Sequence, residues 1–558
     1  MQPQAMLRKP QALAIASHSI RTEYISVKTT TYNIMRHRNI FPTMWLALLA
    51  MPLTAAADRV VRYEINVQRP AQIVEHFGAS DAWTDEFIGH WPMKQQRQIA
   101  DWLFSTAKDK YGRPKGIGLS IWRFNLGAGS REQGDKSGIR SFTRTECFLR
   151  PDGTYDFSKQ AWQRLMLRLA RKRGVEHFVA FMNSVPVQYT INGLATNTGR
   201  GGTINLRPDC YDSVARFVAS AIEGVEKQDG IHFDYISPVN EPDGAWNWTG
   251  SKQEGSPATN REAARLVRSL SREFRQRHIT TLITIPEAHD LRCLWGPHQA
   301  GWQRGNEIDA YFCPDSTDTY LGATPGVAPL FSAHGYWTNT PIDSLRSTRE
   351  RTRRLLARYG KAFWMSELCM MSNDKEVMDD TLSTMVKGLY VDRIIHYDMV
   401  YGNATSWQWW KALRPADRAD NAGAFILLRS SDGWKKGTVE ATKLLWAVGN
   451  YSLFVRPGSQ RYEVEVSDIN GQIIPDGATD PRGVMLSAYR RPDGRWTAVA
   501  INYSDDSRPV CVSIPGKTTK WLLYRTSDLP YENLKPEGST EGTAVLPPRS
   551  TTTFLEDK

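Results

Sequence analysis

The sequence predicts an α/β fold, a (β/α)8 TIM barrel with an attached antiparallel β-sandwich domain, and three observations lead to it. Between residues 71 and 438, short apolar runs alternate with amphipathic helices, the pattern of βα units in a parallel sheet. After residue 438, short alternating strands separated by turn clusters replace that rhythm, which is typical of a sandwich. The length of 558 residues accommodates a barrel of about 250 residues or more and a smaller domain.

Eight strands and six clear helices are predicted in the barrel region. The strands are His76–Ser80, Gly118–Leu126, His177–Asn183, Tyr235–Asn240, Thr280–Ile285, Phe331–Tyr336, Ala362–Ser366 and Thr405–Trp409. The helices are Lys94–Lys108, Lys159–Arg173, Tyr211–Lys227, Asn260–His278, Ile342–Tyr359 and Val377–His396. Eight strands with helical crossovers indicate a closed barrel. The alternative is an open doubly wound sheet, which no Gly-rich phosphate-binding turn supports.

An isolated strand, Val60–Asn66, precedes the barrel. We expect it to pair with strands that follow residue 450, so that both ends of the chain build the sandwich. The predicted organisation is therefore an N-terminal extension and signal peptide (1–57), a first strand contributed to the sandwich (58–70), the catalytic barrel (71–438) and the sandwich (439–558).

The start of the chain has the anatomy of a secretory signal. Arg36 and Arg38 precede an apolar run that begins at Ile40, and three alanines end it at Ala57. A basic region, a short apolar core and small residues at a cleavage site predict a signal peptide. We expect cleavage near Ala57, a secreted or periplasmic protein, and no membrane span in the mature chain. Met35 is the natural first residue of such a signal. The alternative is an uncleaved membrane anchor.

The composition limits the classes of molecule that the protein is expected to bind. The net charge is +11, but residues 1–57 hold six basic residues against one acidic residue, which leaves +6 for the rest. Lysines and arginines do not cluster with aromatic residues, so no nucleic acid is expected. The 19 tryptophans offer surfaces for stacking on sugar rings, although part of them must be core. The six cysteines match no zinc or redox spacing, and Cys293 with Cys313 closes the most plausible disulfide loop.

Two carboxyl groups stand where predicted strands end. Glu241, within Asn240-Glu-Pro242, follows the fourth strand, and Glu367 follows the seventh. Active sites of such barrels lie at the carboxyl ends of the strands, and glycoside hydrolysis needs two carboxyl groups across the scissile bond. Either residue alone can be structural, but the pair at these two positions favours catalysis. Glu287, at the end of the fifth strand, is the spare carboxylate, with a structural or substrate-site role.

Four segments together resemble glycoside hydrolase family 30, and within it the endo-β-1,6-galactanase-like branch: 76–83, 121–127, 238–242 and 364–367. The resemblance implies a barrel with a sandwich built partly from the N-terminal strand, and a retaining mechanism. It implies Glu241 as general acid/base, Glu367 as nucleophile, and a polysaccharide or oligosaccharide partner. Endo-β-1,6-galactanase is the favoured activity. The alternatives are endo-xylanase or β-1,6-glucanase of the same family, or a non-catalytic carbohydrate-binding protein.

The other candidate substrate-binding residues stand at predicted strand ends: Asp81, Trp83, Arg123, Asn125, Asn183, Asn240, Trp246, His334, Tyr336, Trp407 and Trp409. Arg123 can keep the nucleophile ionised, or form a plain structural ion pair. Tyr336 can hydrogen-bond the nucleophile, and Asn240 can donate to the sugar 2-hydroxyl. The tryptophans are stacking platforms or core residues, and His334 is a sugar ligand or a structural histidine.

Competing chemistries lack their motifs. The sequence has no G-x-S-x-G, P-loop, G-x-G-x-x-G or H-E-x-x-H segment. His289, Asp290 and His334 do not have the spacing of metal ligands. We therefore expect neither a metal nor a cofactor.

Overall fold

A computed structural model describes residues 60–80, 82–83, 88–247, 252–379, 381–415, 427–430 and 437–558. The predicted signal peptide and Asp81 lie outside the described residues. Within these ranges, no helix is both long enough and apolar enough to cross a membrane.

The first described element is a long strand, β1 (Val61–Val74). Eight parallel strands follow: β2 (His76–Ser80), β3 (Ile121–Asn125), β4 (His177–Phe181), β5 (Tyr235–Ser237), β6 (Leu282–Ile283), β7 (Leu330–His334), β8 (Ala362–Leu368) and β9 (Ala404–Trp410). Their order is β6-β5-β4-β3-β2-β9-β8-β7. The Ile283 amide donates to the Gly326 carbonyl (2.8 Å), and the Ala328 amide donates to the Ile283 carbonyl (2.9 Å), which joins β6 to the segment before β7. The sheet is therefore closed, and the open-sheet alternative is wrong.

The barrel layer contains the helices α1 (Met93–Phe104), α2 (Ser130–Gln133), α3 (Ala161–Arg171), α4 (Tyr211–Asp229), α5 (Asn260–Arg277), α6 (Glu307–Phe312), α7 (Ile342–Ala357) and α8 (Thr384–Val400). The short helices α2 and α6 were not predicted, and the other six correspond to predicted helices, all but α8 with bounds close to those predicted. Helix α5 begins with a capping box, because the Thr259 hydroxyl and the Glu262 carboxylate each accept the other's backbone N–H. Helix α8 begins seven residues later than predicted, at a Ser383 side chain that accepts the Val386 amide.

A small three-stranded sheet, β10 (Leu413–Pro415), β11 (Leu428–Ser430) and β12 (Val439–Ala441), and helix α9 (Lys443–Ser452) lead to the second domain. That domain contains β13 (Ser459–Ser467), β14 (Val484–Arg490), β15 (Trp496–Asn502), β16 (Arg508–Ser513), β17 (Trp521–Thr526), β18 (Lys535–Thr540), β19 (Thr543–Leu546) and β20 (Ser550–Glu556). Strand β1 pairs antiparallel with β13 and parallel with β16. The N-terminal strand is thus part of this sheet.

The nine-stranded sheet folds over on itself as a sandwich. Five strands separate β17 from β16 in the sheet order, yet the Trp521 indole N–H donates to the Val512 carbonyl across the interior (3.0 Å). One apolar core contains side chains from both halves, including Tyr63, Leu486 and Phe554. The predicted barrel with an attached β-sandwich is confirmed.

Helices α8 and α9 lie between the barrel and the sandwich. The Thr551 hydroxyl of β20 donates to Asp392 of α8 (2.6 Å), and Asn450 of α9 donates to the Thr526 hydroxyl (2.9 Å). Asp392 is fully buried, and burial raises its pKa to about 8 although Thr551 acts to lower it. The two domains are therefore held together through buried polar contacts as well as apolar packing.

All six cysteines are unpaired, so the expected Cys293–Cys313 disulfide is wrong. Cys293 lies in a buried 3-10 turn beside Asp243, whereas Cys313 lies at the end of α6 beside Tyr359. The two thiols face different neighbours.

Candidate active site

Glu241 occupies a sharp turn just beyond β5. Its backbone has φ +51, a left-handed conformation that costs a non-glycine residue about 1–2 kcal/mol. Backbone bonds fix the turn: the Glu241 amide donates to the Glu287 carbonyl (2.8 Å), and the Trp246 indole donates to the Glu241 carbonyl (2.9 Å). The side chain points to His334, whose Nδ1 lies 3.0 Å from Glu241 Oε1.

Glu367 lies near the end of β8 and is held by two donors. Arg123 Nη1 of β3 donates to Oε2 (2.6 Å), and the Tyr336 hydroxyl donates to Oε1 (2.7 Å). A register shift between β7 and β8 places Glu367 beside His334. Both contacts expected from the sequence, with Arg123 and with Tyr336, are present.

Arg123 joins two carboxylates in the interior of the barrel mouth. Its Nη2 donates to Glu287 Oε2 (2.8 Å), and its side chain is 1% exposed. Burial acts to raise the pKa of Glu287, but Arg123 and His334 outweigh it and lower that pKa to about 2. Glu287 is therefore the second carboxylate partner of Arg123, which fits the structural one of the two roles, structural or substrate-site, expected from the sequence.

His334 lies fully buried among three carboxylates. Its Nδ1 is 3.0 Å from Glu241 and 3.6 Å from Glu367, and its Nε2 is 3.6 Å from Glu287. Burial acts to lower the pKa of His334, but these carboxylates outweigh it and raise the pKa to about 10. His334 is therefore an imidazolium at neutral pH.

Glu241, His334 and Glu367 each offer an atom of the kind that binds metals, and these atoms lie within 4.8 Å of one another. A protonated imidazole has no free lone pair for a metal. Both oxygens of Glu367 already accept strong hydrogen bonds. The donor set therefore fits a charged hydrogen-bond network better than a metal centre.

Four further predicted residues surround this network and carry polar atoms without a hydrogen-bond partner among the described residues: Trp83 Nε1, Asn125 Oδ1, Asn183 Nδ2 and Asn240 Oδ1. All four side chains are buried. Buried polar atoms are rarely left unpaired in native proteins, and sugar hydroxyls can satisfy them. Trp410, which was not among the predicted site residues, packs edge-on against Trp83 (5.1 Å between ring centroids).

Three predicted tryptophans are core residues rather than open platforms. Trp407 is completely buried, and its indole donates to Asp398 of α8 (2.9 Å). Trp409 lies on the same face of β9 and stacks on Trp407 (5.9 Å between ring centroids). Residues two apart in a strand share a face, and the contact of Trp407 with α8 shows that this face points outward to the helices. Trp246 is buried and braces the Glu241 turn.

An ion pair between Asp243 and His289 lies next to Glu241 and was missed. His289 Nδ1 is 2.6 Å from Asp243 Oδ2. Burial acts to lower the pKa of His289, but Asp243 and, more weakly, Glu241 raise it to about 9. Each partner stands two residues beyond a strand-end glutamate, Glu241 or Glu287. This shared two-residue offset is the sequence feature from which the pairing of Asp243 with His289 could have been predicted.

Comparison with known proteins gives a consistent result. The profile of O-Glycosyl hydrolase family 30 matches residues 60–423. An endo-beta-1,6-galactanase of Hypocrea rufa is 22% identical over 74% of this chain and 78% of that protein. A glucuronoxylanase of Bacillus subtilis is 24% identical over 63% of this chain and 67% of that protein. The crystal structure of a conserved exported protein from Bacteroides fragilis superposes with a TM-score of 0.80 at 33% identity, over 89% of this chain and all of that one.

Proposed function

The chain belongs to O-glycosyl hydrolase family 30 and is a glycoside hydrolase acting on β-linked polysaccharides, and we propose that it uses a retaining mechanism with Glu367 as nucleophile and Glu241 as acid/base. The observation that carries this proposal is the carboxylate spacing, since oxygens of Glu241 and Glu367 lie within 4.8 Å of each other. Retaining glycosidases hold their carboxyl groups about 5–5.5 Å apart, whereas inverting enzymes leave roughly 6.5–9.5 Å for a water.

In the first step, an oxygen of Glu367 forms a bond to the anomeric carbon while the bond to the leaving oxygen breaks. Glu241 donates its proton to that oxygen. In the second step, Glu241 takes a proton from water, and the water oxygen displaces Glu367. Arg123 and Tyr336 hold the attacking carboxylate in position through bonds of 2.6 and 2.7 Å.

The assignment of the two roles follows from their surroundings. The Glu241 side chain is 15% exposed and that of Glu367 is 6% exposed, so Glu241 has the better access to water. Of the two, only Glu367 has a guanidinium partner, Arg123, which orients its oxygens for attack.

For the substrate, we favour internal β-1,6-galactosyl links, as in arabinogalactan side chains. The similarity to the Hypocrea rufa endo-beta-1,6-galactanase supports this choice. The similarity to the Bacillus subtilis glucuronoxylanase makes xylan the second candidate. Purified protein should be assayed on β-1,6-galactan, β-1,6-glucan and glucuronoxylan, with product sizing. Oligomers from xylan and none from β-1,6-galactan would overturn the choice.

Variants separate the two catalytic roles. Glu367→Ala should lose nearly all turnover on every substrate, since no covalent intermediate can form. Glu241→Ala should still attack an activated aryl glycoside, whose leaving group needs no proton, and the glycosyl-enzyme should accumulate. Azide should then rescue Glu241→Ala and give a β-azide, identified by NMR. An α-azide from that variant would mean that the roles are exchanged. Glu226→Ala, at a surface glutamate of α4, is the control and should keep full activity.

A further inference from the structure

A groove beside the loop that follows Glu241 has the composition of a carbohydrate-binding surface. It has a volume of about 710 Å³ and lies between residues 259–261, where α5 begins, and the segment 302–319, which includes α6. Most of its lining side chains are polar and one is a large aromatic, and they include Arg261, Trp302, Gln303, Asn306, Asp315 and Asp318. Hydroxyl, amide and carboxylate groups around one aromatic ring match the alternating C–H and O–H surfaces of a sugar.

Trp302 is the most unusual residue of this groove. Its side chain is 67% exposed, whereas the tryptophans named above near the catalytic pair are largely buried. An indole face open to solvent can stack on the apolar face of a pyranose ring while its neighbours bind the hydroxyls.

The groove is fixed to the loop that bears the proposed acid/base. Arg304 Nη1 donates to the carbonyls of Asp243 (2.9 Å) and Gly244 (3.0 Å). The Gln303 carbonyl accepts the Asn260 amide at the start of α5 (2.7 Å). Helix α5 begins where the loop after β5 ends, so the groove opens on the same face of the barrel as the catalytic pair. Trp302 is two residues from Arg304, and two residues span at most about 7 Å. Trp302 therefore lies close to the hydrogen bonds that Arg304 makes with the loop after β5.

We propose that this groove is a second binding surface, outside the catalytic cluster, for a neutral β-linked polysaccharide chain. Trp302 stacks on a sugar ring, and Gln303, Asn306 and Asp315 bind hydroxyl groups. The charges favour a neutral chain over an acidic one, because the groove holds the carboxylates of Asp315 and Asp318 against one guanidinium, Arg261, which pairs with Asp318. The inference rests on the proposed function, since it assigns the groove to the same substrate.

The test uses the full chain with the catalytic step blocked. Glu367→Gln protein, with and without Trp302→Ala, is run in native gels containing β-1,6-galactan, β-1,6-glucan or glucuronoxylan. Trp302→Ala should raise the dissociation constant for a neutral polysaccharide about three- to tenfold, the range expected for one lost stacking contact. Tyr111→Ala is the matched control, because Tyr111 is 65% exposed and precedes β3, away from the groove. It should leave retention unchanged.

A second readout uses the active enzyme. Trp302→Ala should lower kcat/KM on the polymer relative to kcat/KM on an aryl β-glycoside. If the wild type hydrolyses no polysaccharide but Trp302→Ala still weakens retention, the proposed function fails and the surface is supported. If polymer is hydrolysed while Trp302→Ala changes neither retention nor the rate ratio, the surface is overturned and the function is supported. Retention by none of the three polysaccharides also overturns the surface.

Discussion

Replacing Arg123 by methionine tests the electrostatic design of the site. The side chains of Arg123, Glu287 and Glu367 are 1%, 2% and 6% exposed, so the substitution leaves two nearly buried carboxylates without their common cation. Removing one partner of a buried ion pair costs about 3–5 kcal/mol. With an unfolding entropy of about 2.1 cal/mol/K per residue over roughly 500 residues, 1 kcal/mol corresponds to about 1 °C. We therefore expect the melting temperature of Arg123→Met to fall by about 3–5 °C.

A second substitution separates stability from catalysis. Adding Glu287→Gln removes one of the stranded charges, so the double variant should regain part of the lost melting temperature. It should not regain activity, because Glu367 still lacks its 2.6 Å bond from Arg123. A hydrogen bond to a charged group is worth about 1.5–3 kcal/mol, which corresponds to a loss of kcat/KM of roughly 10- to 100-fold.

The control is Arg456→Met. Arg456 is a half-buried arginine that donates to the backbone carbonyls of Gly118 and Ser452 and has no carboxylate partner among the described residues. It should keep activity, and Glu287→Gln should not restore its stability. Differential scanning calorimetry measures the melting temperature of each variant, and steady-state kinetics on the same preparations measure kcat/KM. An unchanged melting temperature for Arg123→Met, or a double variant less stable than the single one, would refute the reasoning.

Three further predictions follow from buried charges and from the chain start. The raised pKa of His334, about 10 against 6.5, favours the folded state fully below pH 6.5, so the free energy of unfolding should fall between pH 6.5 and 10, by at most roughly 5 kcal/mol. Urea titrations of His334→Gln should lack this slope. The pKa of Asp392, raised from 3.8 to about 8, makes folding less favourable as pH rises from 4 to 8. Asp392→Asn should therefore melt higher than wild type at pH 8 and not at pH 4. Finally, N-terminal sequencing of exported protein should begin near Asp58, and retention of residues 1–34 would contradict the predicted cleavage.

The positions of the two catalytic candidates could be predicted because both residues stand where apolar strands end, although strand periodicity alone does not distinguish them from Glu287. Glu241 and Glu367 each follow an apolar run, and the carboxyl ends of parallel strands meet at one edge of a barrel. The eight strands were found for the same reason. The charge of His334 could not be predicted, because it depends on three carboxylates that come from different strands.

The orientation of β9 shows where sequence patterning is insufficient. An ordinary half-buried strand places polar residues in solvent, but Ser406 and Gln408 are completely buried, and Trp407 faces the helices instead. Both faces of a barrel strand are covered, so hydrophobicity does not say which face is inside. For that reason Trp407 and Trp409 were predicted at the mouth, and Trp410, which packs against Trp83, was not. Trp302 was missed because it lies in a loop with no periodicity.

The charge balance of the five ionisable groups in the cluster suits the proposed mechanism, in which two of them react. Arg123 and His334 supply two positive charges, and Glu241, Glu287 and Glu367 supply up to three negative ones. The cluster is neutral when one carboxyl group carries a proton. Arg123 pairs with Glu287 and Glu367, whereas Glu241, the most exposed of the three carboxyl groups, has no bond to Arg123, and the proposed mechanism assigns the proton to Glu241. In that proposed mechanism, esterification of Glu367 removes its charge while Glu241 gives its proton to the leaving oxygen, so the total charge does not change. Glu287 contacts both cations, so the proposed mechanism exchanges the proton of Glu241 and the charge of Glu367 within a site whose net charge stays constant.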